Sequence, residues 1–153
     1  MKPVWSYNNH DDIDGSIVCK VENDTPYIYC GCEVDKQGNE GICHIVKLDG
    51  RNGNRIWELQ IPCRRFTLGE KALDGGMYCT PLLGMGDCSH LLFANICRNG
   101  ADGKGAGSGE MIAVDIQTGK IVHSTQLNQF AWSSPVGFLN EKNEMYIFTG
   151  DSG

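Results

Sequence analysis

An internal repeat with an offset of 66 residues limits the folds open to this chain. The segment 48–57, LDGRNGNRIW, aligns without a gap with the segment 114–123, VDIQTGKIVH. Each copy has an Asp at the end of an apolar run, a Gly four residues later and an aromatic ring four residues after that Gly. In a turn, such an Asp can accept hydrogen bonds from backbone amides, and the Gly can adopt a positive φ. Both copies therefore predict a hairpin whose second strand presents a large ring to one face of a sheet.

Two further elements recur ahead of the hairpins. The first is a small or hydroxyl residue followed by Ile or Pro, within the segments 14–18 (DGSIV), 78–82 (YCTPL) and 132–136 (WSSPV). The second is an apolar run about a dozen residues further on, at 27–31, 91–95 and 145–150. Together these elements predict a unit of four antiparallel strands in about 50 to 65 residues, apolar on both faces of its inner strands.

This unit is the blade of a β-propeller, and the chain is predicted to be all-β with an incomplete set of blades. The segment KPVW at the start aligns with 120–123, so the chain is expected to begin inside a repeat, with a partial strand at Val4 to Tyr7. The expected organisation is residues 1–8 as the outer strand of a preceding blade, 15–62 as blade one, 77–128 as blade two and 131–153 as the start of blade three.

The hairpin motif resembles the docking motif of PQQ-like (quinoprotein-type) propeller repeats, Ala-x-Asp-x-x-Thr-Gly-Lys-x-x-Trp. The second copy reads Ala113, Asp115, Thr118, Gly119, Lys120 and His123. The first copy has Lys47 and Asn52 at the Ala and Thr positions and keeps Asp49, Gly53 and Trp57. The resemblance extends over nearly the whole chain. It departs from the motif at Lys47, Asn52 and His123.

The resemblance implies a structural role for the motif, in which the ring docks against the adjacent blade. The residues expected to act in blade docking are Asp49, Gly53, Trp57, Asp115, Gly119 and His123. The motif does not by itself imply the quinone cofactor. The dehydrogenases of the family are expected to stack adjacent cysteines on that quinone, and this sequence has no Cys-Cys pair.

Charge and hydropathy exclude two classes of partner. The net charge is -6 and no cluster of Lys and Arg is large enough for a phosphate surface, so nucleic acid is not expected to bind. No run approaches the roughly 20 apolar residues of a membrane-spanning helix. The sequence leaves the compartment of the chain open, and we expect the parent protein to be exported to the periplasm, the cell surface or the medium.

The segment 10–15, HDDIDG, is the strongest candidate for ligand binding, through Asp11, Asp12 and Asp14. It lacks the ligand spacing of an EF-hand, and its alternative reading is a solvated turn. The eight cysteines are compatible with disulfides or with buried thiols. A zinc site formed by Cys30, Cys32, Cys43 and His44 is disfavoured, because ligand pairs normally lie two to four residues apart on turns. No metal site is predicted.

No set of residues in the sequence forms a recognisable catalytic group. GlyLysGly at 103–105 lacks the hydroxyl residue of a phosphate-binding loop, and AspSerGly at 151–153 has no matching upstream His. The leading hypothesis is therefore a non-catalytic binding or scaffolding segment of a larger bacterial protein, without a cofactor. One alternative is a fragment of a dehydrogenase dependent on PQQ and calcium, and another is an architectural segment that self-assembles. The expected partners are the remaining blades of the parent propeller or a second copy, and a protein or small-molecule ligand.

Overall fold

The computed structural model describes residues 2–37, 40–68 and 70–152. The fold is all-β, and the described residues contain one short 3-10 turn, Gly86–Cys88, and no α-helix. Within these residues no helix has the length and hydropathy needed to cross a membrane. The strands are β1 (Val18–Glu22), β2 (Thr25–Gly31), β3 (Gly41–Asp49), β4 (Arg55–Cys63), β5 (Phe66–Leu68), β6 (Lys71–Leu73), β7 (Leu82–Leu83), β8 (Leu91–Cys97), β9 (Gly109–Asp115), β10 (Ile121–Leu127), β11 (Val136–Leu139) and β12 (Met145–Phe148).

Blade one is a four-stranded antiparallel sheet in the order β1-β2-β3-β4. Its third strand, GICHIVKLD, is buried at eight of nine positions because both faces of the sheet are covered. The pairing of β3 with β4 contains a bulge, since Lys47 pairs with Trp57 and Leu48 pairs with Arg55. The bulge shifts the alternation of β4 by one residue just before the Trp57 ring.

Blade two repeats this sheet in the order β7-β8-β9-β10. Its hairpin β9–β10 contains a bulge at the corresponding position, between Ile121 and His123. The first strand, β7, is only two residues long. The loop between β8 and β9 extends from residue 98 to 108 and includes four glycines with positive φ. Its length contributes to the 66-residue offset between the two hairpin copies.

The two sheets pack face to face, and the main core lies between them. Blade one contributes Tyr29, Ile45 and Trp57, and blade two contributes Leu92 and Ile112, all of them almost fully buried. Burial of such side chains is the main stabilising contribution to a sheet sandwich of this kind. A second cluster, Cys30, Val46 and Leu48, lies on the opposite face of blade one under Trp5 and Tyr7.

The third unit is the hairpin β11–β12, which begins at Val136, as the repeated segment 132–136 predicts. No described segment pairs with the backbone of residues 4–7, so the outer strand expected there stays a prediction. One feature of the chain was not expected. A small hairpin, β5–β6, lies between blades one and two, where the sequence indicated only a connection.

Candidate functional site

The turn between β3 and β4 has the hydrogen bonds that its sequence predicts. The amide of Gly53 donates to the Asp49 carbonyl at 2.7 Å, and Gly53 has a φ of +74°. The Asp49 carboxylate accepts from the amide and the guanidinium of Arg51, and these hydrogen bonds lower the pKa of Asp49. The hydrogen bonds of Asp49 therefore close the turn. Gly53 is the turn residue with a left-handed backbone conformation, in which a residue with a side chain would be strained.

The turn between β9 and β10 has the same geometry. The amide of Gly119 donates to the Asp115 carbonyl at 2.8 Å, and Gly119 has a φ of +70°. The Asp115 carboxylate accepts from the hydroxyl and the amide of Thr118, both at 2.7 Å. These bonds lower the pKa of Asp115. The two turns therefore share one structure although only their Asp and Gly residues are identical.

A tryptophan ring covers each of these turns. The indole Nε1 of Trp57 donates to the Ile116 carbonyl at 2.9 Å, and its ring lies so close to Gly119 that a Cβ there would come within 2.7 Å of it. The Trp5 Nε1 donates to the carbonyl of Gly50 at 2.9 Å, and a Cβ on Gly53 would come within 2.8 Å of the Trp5 ring. Each turn glycine thus supplies both the positive φ and the flat surface on which the ring lies.

His123 occupies the position of Trp57 in the second copy, and its ring is exposed. Its Nε2 lies 3.2 Å from the hydroxyl oxygen of Thr125 on the same strand. Within the described residues the third unit has two strands and no turn of the β3–β4 type. A docked position for the His123 ring therefore stays a prediction.

The hairpin β11–β12 has an uncovered apolar face on the side away from blade two. The side chains on this face alternate along both strands, and Phe138 stacks on Tyr146 and Phe148 at centroid distances of 5.4 and 5.8 Å. The face, called here the open face, consists of Val136, Phe138, Tyr146 and Phe148, which are 48 to 61% exposed. Contiguous aromatic surface of this kind is a feature of interaction sites.

The three predicted ligand residues lie at the end of blade one opposite the docking turns. The amide nitrogen of Gln37 donates to Asp11, and Lys36 forms an ion pair with Asp12. Asp14 is exposed. Only Asp12 belongs to a group with converging ligand atoms, together with Glu33 and Asp35. We assign no ligand to this group, and the ligand role of the three residues stays a prediction.

Glu33 is a buried acid that the sequence did not single out. It is 7% exposed, and burial raises its pKa to about 7, with a further contribution from the charges of Asp14, Asp35 and Asp12. The hydroxyl of Tyr78 donates to the Asp74 carbonyl at 3.0 Å and also forms a hydrogen bond with Glu33. The hydrogen bond with Tyr78 acts to lower the pKa of Glu33, but burial outweighs it.

The cysteines are free thiols in the structure, and six of the eight are buried. Cys43 lies in the core between the blades, whereas Cys30 lies in the cluster on the opposite face of blade one. The four side chains considered for zinc therefore do not converge. Burial raises the pKa of Cys63 and of Cys97 to about 12, so both act as small apolar residues.

A second group with converging ligand atoms consists of His10, His44 and Glu58. His44 and Glu58 lie on neighbouring strands, β3 and β4, and His10 lies in the segment that precedes β1. The sequence pattern could not show this group, because 34 positions separate His10 from His44. The alignment of the two hairpins also places no histidine at the positions of the second copy that correspond to His44 and Glu58.

Comparison with known proteins adds little to this description. No family model matches the chain, and no curated protein is significantly similar to it. Among solved structures, the chain is similar to a europium-containing methanol dehydrogenase, with a TM-score of 0.49 and 14% sequence identity. The similarity covers 87% of this chain and 23% of the dehydrogenase, so the chain spans about a quarter of that protein. At this level the likeness supports no statement about activity.

Proposed function

We propose that this chain is a non-catalytic segment of a larger PQQ-like propeller and serves as a binding or scaffolding module. Its open face is the surface that binds, and the partner is a further blade of the same repeat. The exposure of Val136, Phe138, Tyr146 and Phe148 is the observation on which the proposal depends. The proposed role requires no cofactor.

Blade one supplies the argument for this partner. Val136 pairs with Phe148 in the third unit, as Val18 pairs with Tyr29 in blade one. Tyr29 is fully buried against blade two, with Val18 and Tyr27 packed beside it. The same positions are thus covered by a blade in one unit and exposed in the other, so a blade fits the open face.

The His123 ring provides a second element of the same interface. Trp57 reaches the turn of the next blade through its position on β4, and His123 has the equivalent position on β10. A blade that covered the open face would bring its own turn to this ring. An imidazole N–H can donate to a backbone carbonyl as the indole N–H of Trp57 does.

Light scattering coupled to size exclusion tests the proposal. In a solution of the chain alone, only a second copy can supply a blade, so we expect a mass of at least twice 16.8 kDa. The double variant Phe138→Lys/Phe148→Lys places two charges on the open face and should return the protein to a monomer. Ile56→Lys is the matched control, since Ile56 is 50% exposed on β4 and does not belong to that face.

Circular dichroism of each variant shows whether the sheets are retained. A folded wild-type chain that remains monomeric at high concentration would refute the proposed partner. A multimer that Phe138→Lys/Phe148→Lys leaves intact would show that another surface is used, and would refute it equally.

A further inference from the structure

The two strands β3 and β4 place a histidine and a glutamate side by side on the face of blade one opposite blade two. Val46 pairs with Glu58, so His44 lies diagonally across the ladder from Glu58 on the same face. His44 Nδ1 lies 2.5 Å from Glu58 Oε1. Both side chains are almost fully buried, at 10 and 12% exposure.

A third side chain is held over this pair by the segment before β1. The side-chain amide of Asn9, which is 3% exposed, donates to the His44 carbonyl at 2.9 Å. This bond fixes the next residue, and the His10 ring stacks on the His44 ring with centroids 3.9 Å apart and planes 22° apart. His10 Nε2 lies 3.7 Å from Glu58 Oε1. Two imidazoles and one carboxylate therefore meet at one point.

We propose that His10, His44 and Glu58 bind a divalent transition-metal ion of the zinc class. Two nitrogens and one oxygen are a typical ligand set for Zn²⁺, whereas Ca²⁺ and Mg²⁺ take oxygen ligands. In tetrahedral coordination with bonds of about 2.1 Å, neighbouring ligand atoms lie about 3.4 Å apart. The three atoms here lie within 4.8 Å of one another, which is close to that spacing.

The site needs a small rearrangement to accept the ion. The metal replaces the proton between His44 and Glu58, so His44 Nδ1 and Glu58 Oε1 move apart by about 1 Å. The His10 ring must also turn, because the nitrogen lone pairs of stacked rings do not converge. Its side chain is 51% exposed and free to turn toward solvent. The exposed side leaves a fourth position for water.

A neighbouring arginine orients the Glu58 carboxylate. Arg55 forms an ion pair with Glu58 Oε2 and leaves Oε1 to the histidines. The carboxylate is thus held in one orientation by a neighbour that is not itself a ligand.

Titration of the chain with Zn²⁺ alone, followed by calorimetry, tests the site. The experiment uses a Cys19→Ser/Cys88→Ser background, because these are the two thiols that are not buried. We expect one equivalent of Zn²⁺ to bind and to raise the melting temperature. His10→Asn should weaken binding by at least about tenfold. Asn suits this position because His10 has a φ of +74°.

Two controls distinguish the site from adventitious binding. His90→Asn removes an exposed histidine to which no role is assigned and should leave the affinity unchanged, whereas Glu58→Gln should weaken it as His10→Asn does. Co²⁺ should give visible bands of a nitrogen and oxygen site, without thiolate charge transfer. Absence of stoichiometric binding, equal affinity in His10→Asn, or a thiolate band would each overturn the proposal. Its outcome is independent of whether the open face binds a blade.

Discussion

Substitution of Glu33 by Gln is expected to remove a pH-dependent loss of stability from the protein. The pKa of Glu33 is raised from an ordinary value of 4.5 to about 7, chiefly by burial. Between these two values the folded protein holds a proton that the unfolded chain has released. The stability contributed by the protonated form is therefore complete below pH 4.5 and is lost as the pH rises through about 7.

The size of the effect follows from the two pKa values. One pKa unit corresponds to 1.36 kcal/mol, so the step from 4.5 to about 7 amounts to about 3 kcal/mol of unfolding free energy. Gln has the shape of a protonated Glu and no charge at any pH. The variant should exceed the wild type by less than about 1 kcal/mol at pH 5 and by up to about 3 kcal/mol near pH 8.5.

Urea unfolding followed by tryptophan fluorescence at pH 5, 7 and 8.5 measures this difference. The wild type and Glu33→Gln share all four histidines, so subtraction of their curves isolates the contribution of Glu33. Asp24→Asn is the control, since Asp24 is an exposed carboxylate in the turn at the other end of blade one. If the two curves stayed parallel from pH 5 to 8.5, the assignment of a buried protonated acid would be wrong.

Two further predictions concern the docking of Trp57 on the turn of blade two. Gly119→Ala should destabilise the protein by more than 1 kcal/mol beyond Gly103→Ala in urea unfolding, because both glycines have positive φ but only a Cβ at Gly119 would meet the Trp57 ring. Trp57→Phe keeps an aromatic ring and removes the N–H that bonds to the Ile116 carbonyl. It should cost about 1 to 3 kcal/mol, and an unchanged urea midpoint would contradict the docking role.

The strand order could be read from the sequence because it depends on local patterns. Each repeated segment ends at the first residue of the first strand of its unit, at Val18, Leu82 and Val136. These positions follow from β-branched and apolar runs between turn residues, which hold for any blade of this type. The strand expected at Val4 to Tyr7 stays a prediction, since a strand also needs a partner and no described segment pairs with these residues.

The candidate sites could not be read in the same way. His10, His44 and Glu58 become neighbours only through the β3–β4 register and the Asn9 bond to the His44 backbone. Glu33 looks like an ordinary loop residue until the connection to blade two covers it, through the pairing of Glu33 with Gly76. The metal site and the environment of Glu33 both depend on contacts between segments whose separation in the sequence does not follow the repeat.

The meander of each blade separates two kinds of surface. The turns after β1 and β3 lie at one end of the sheet, where Trp5 and Trp57 lock neighbouring units through Gly53 and Gly119. The segment before β1 and the loop after β2 lie at the other end, where the amide of Glu33 donates to the Asp12 carbonyl. A turn that must accept a ring on bare backbone tolerates little change, whereas loops at the opposite end can vary without disturbing the stack. Substitutions at the docking turns of this chain should therefore lower its unfolding free energy more than substitutions of exposed residues at the loop end.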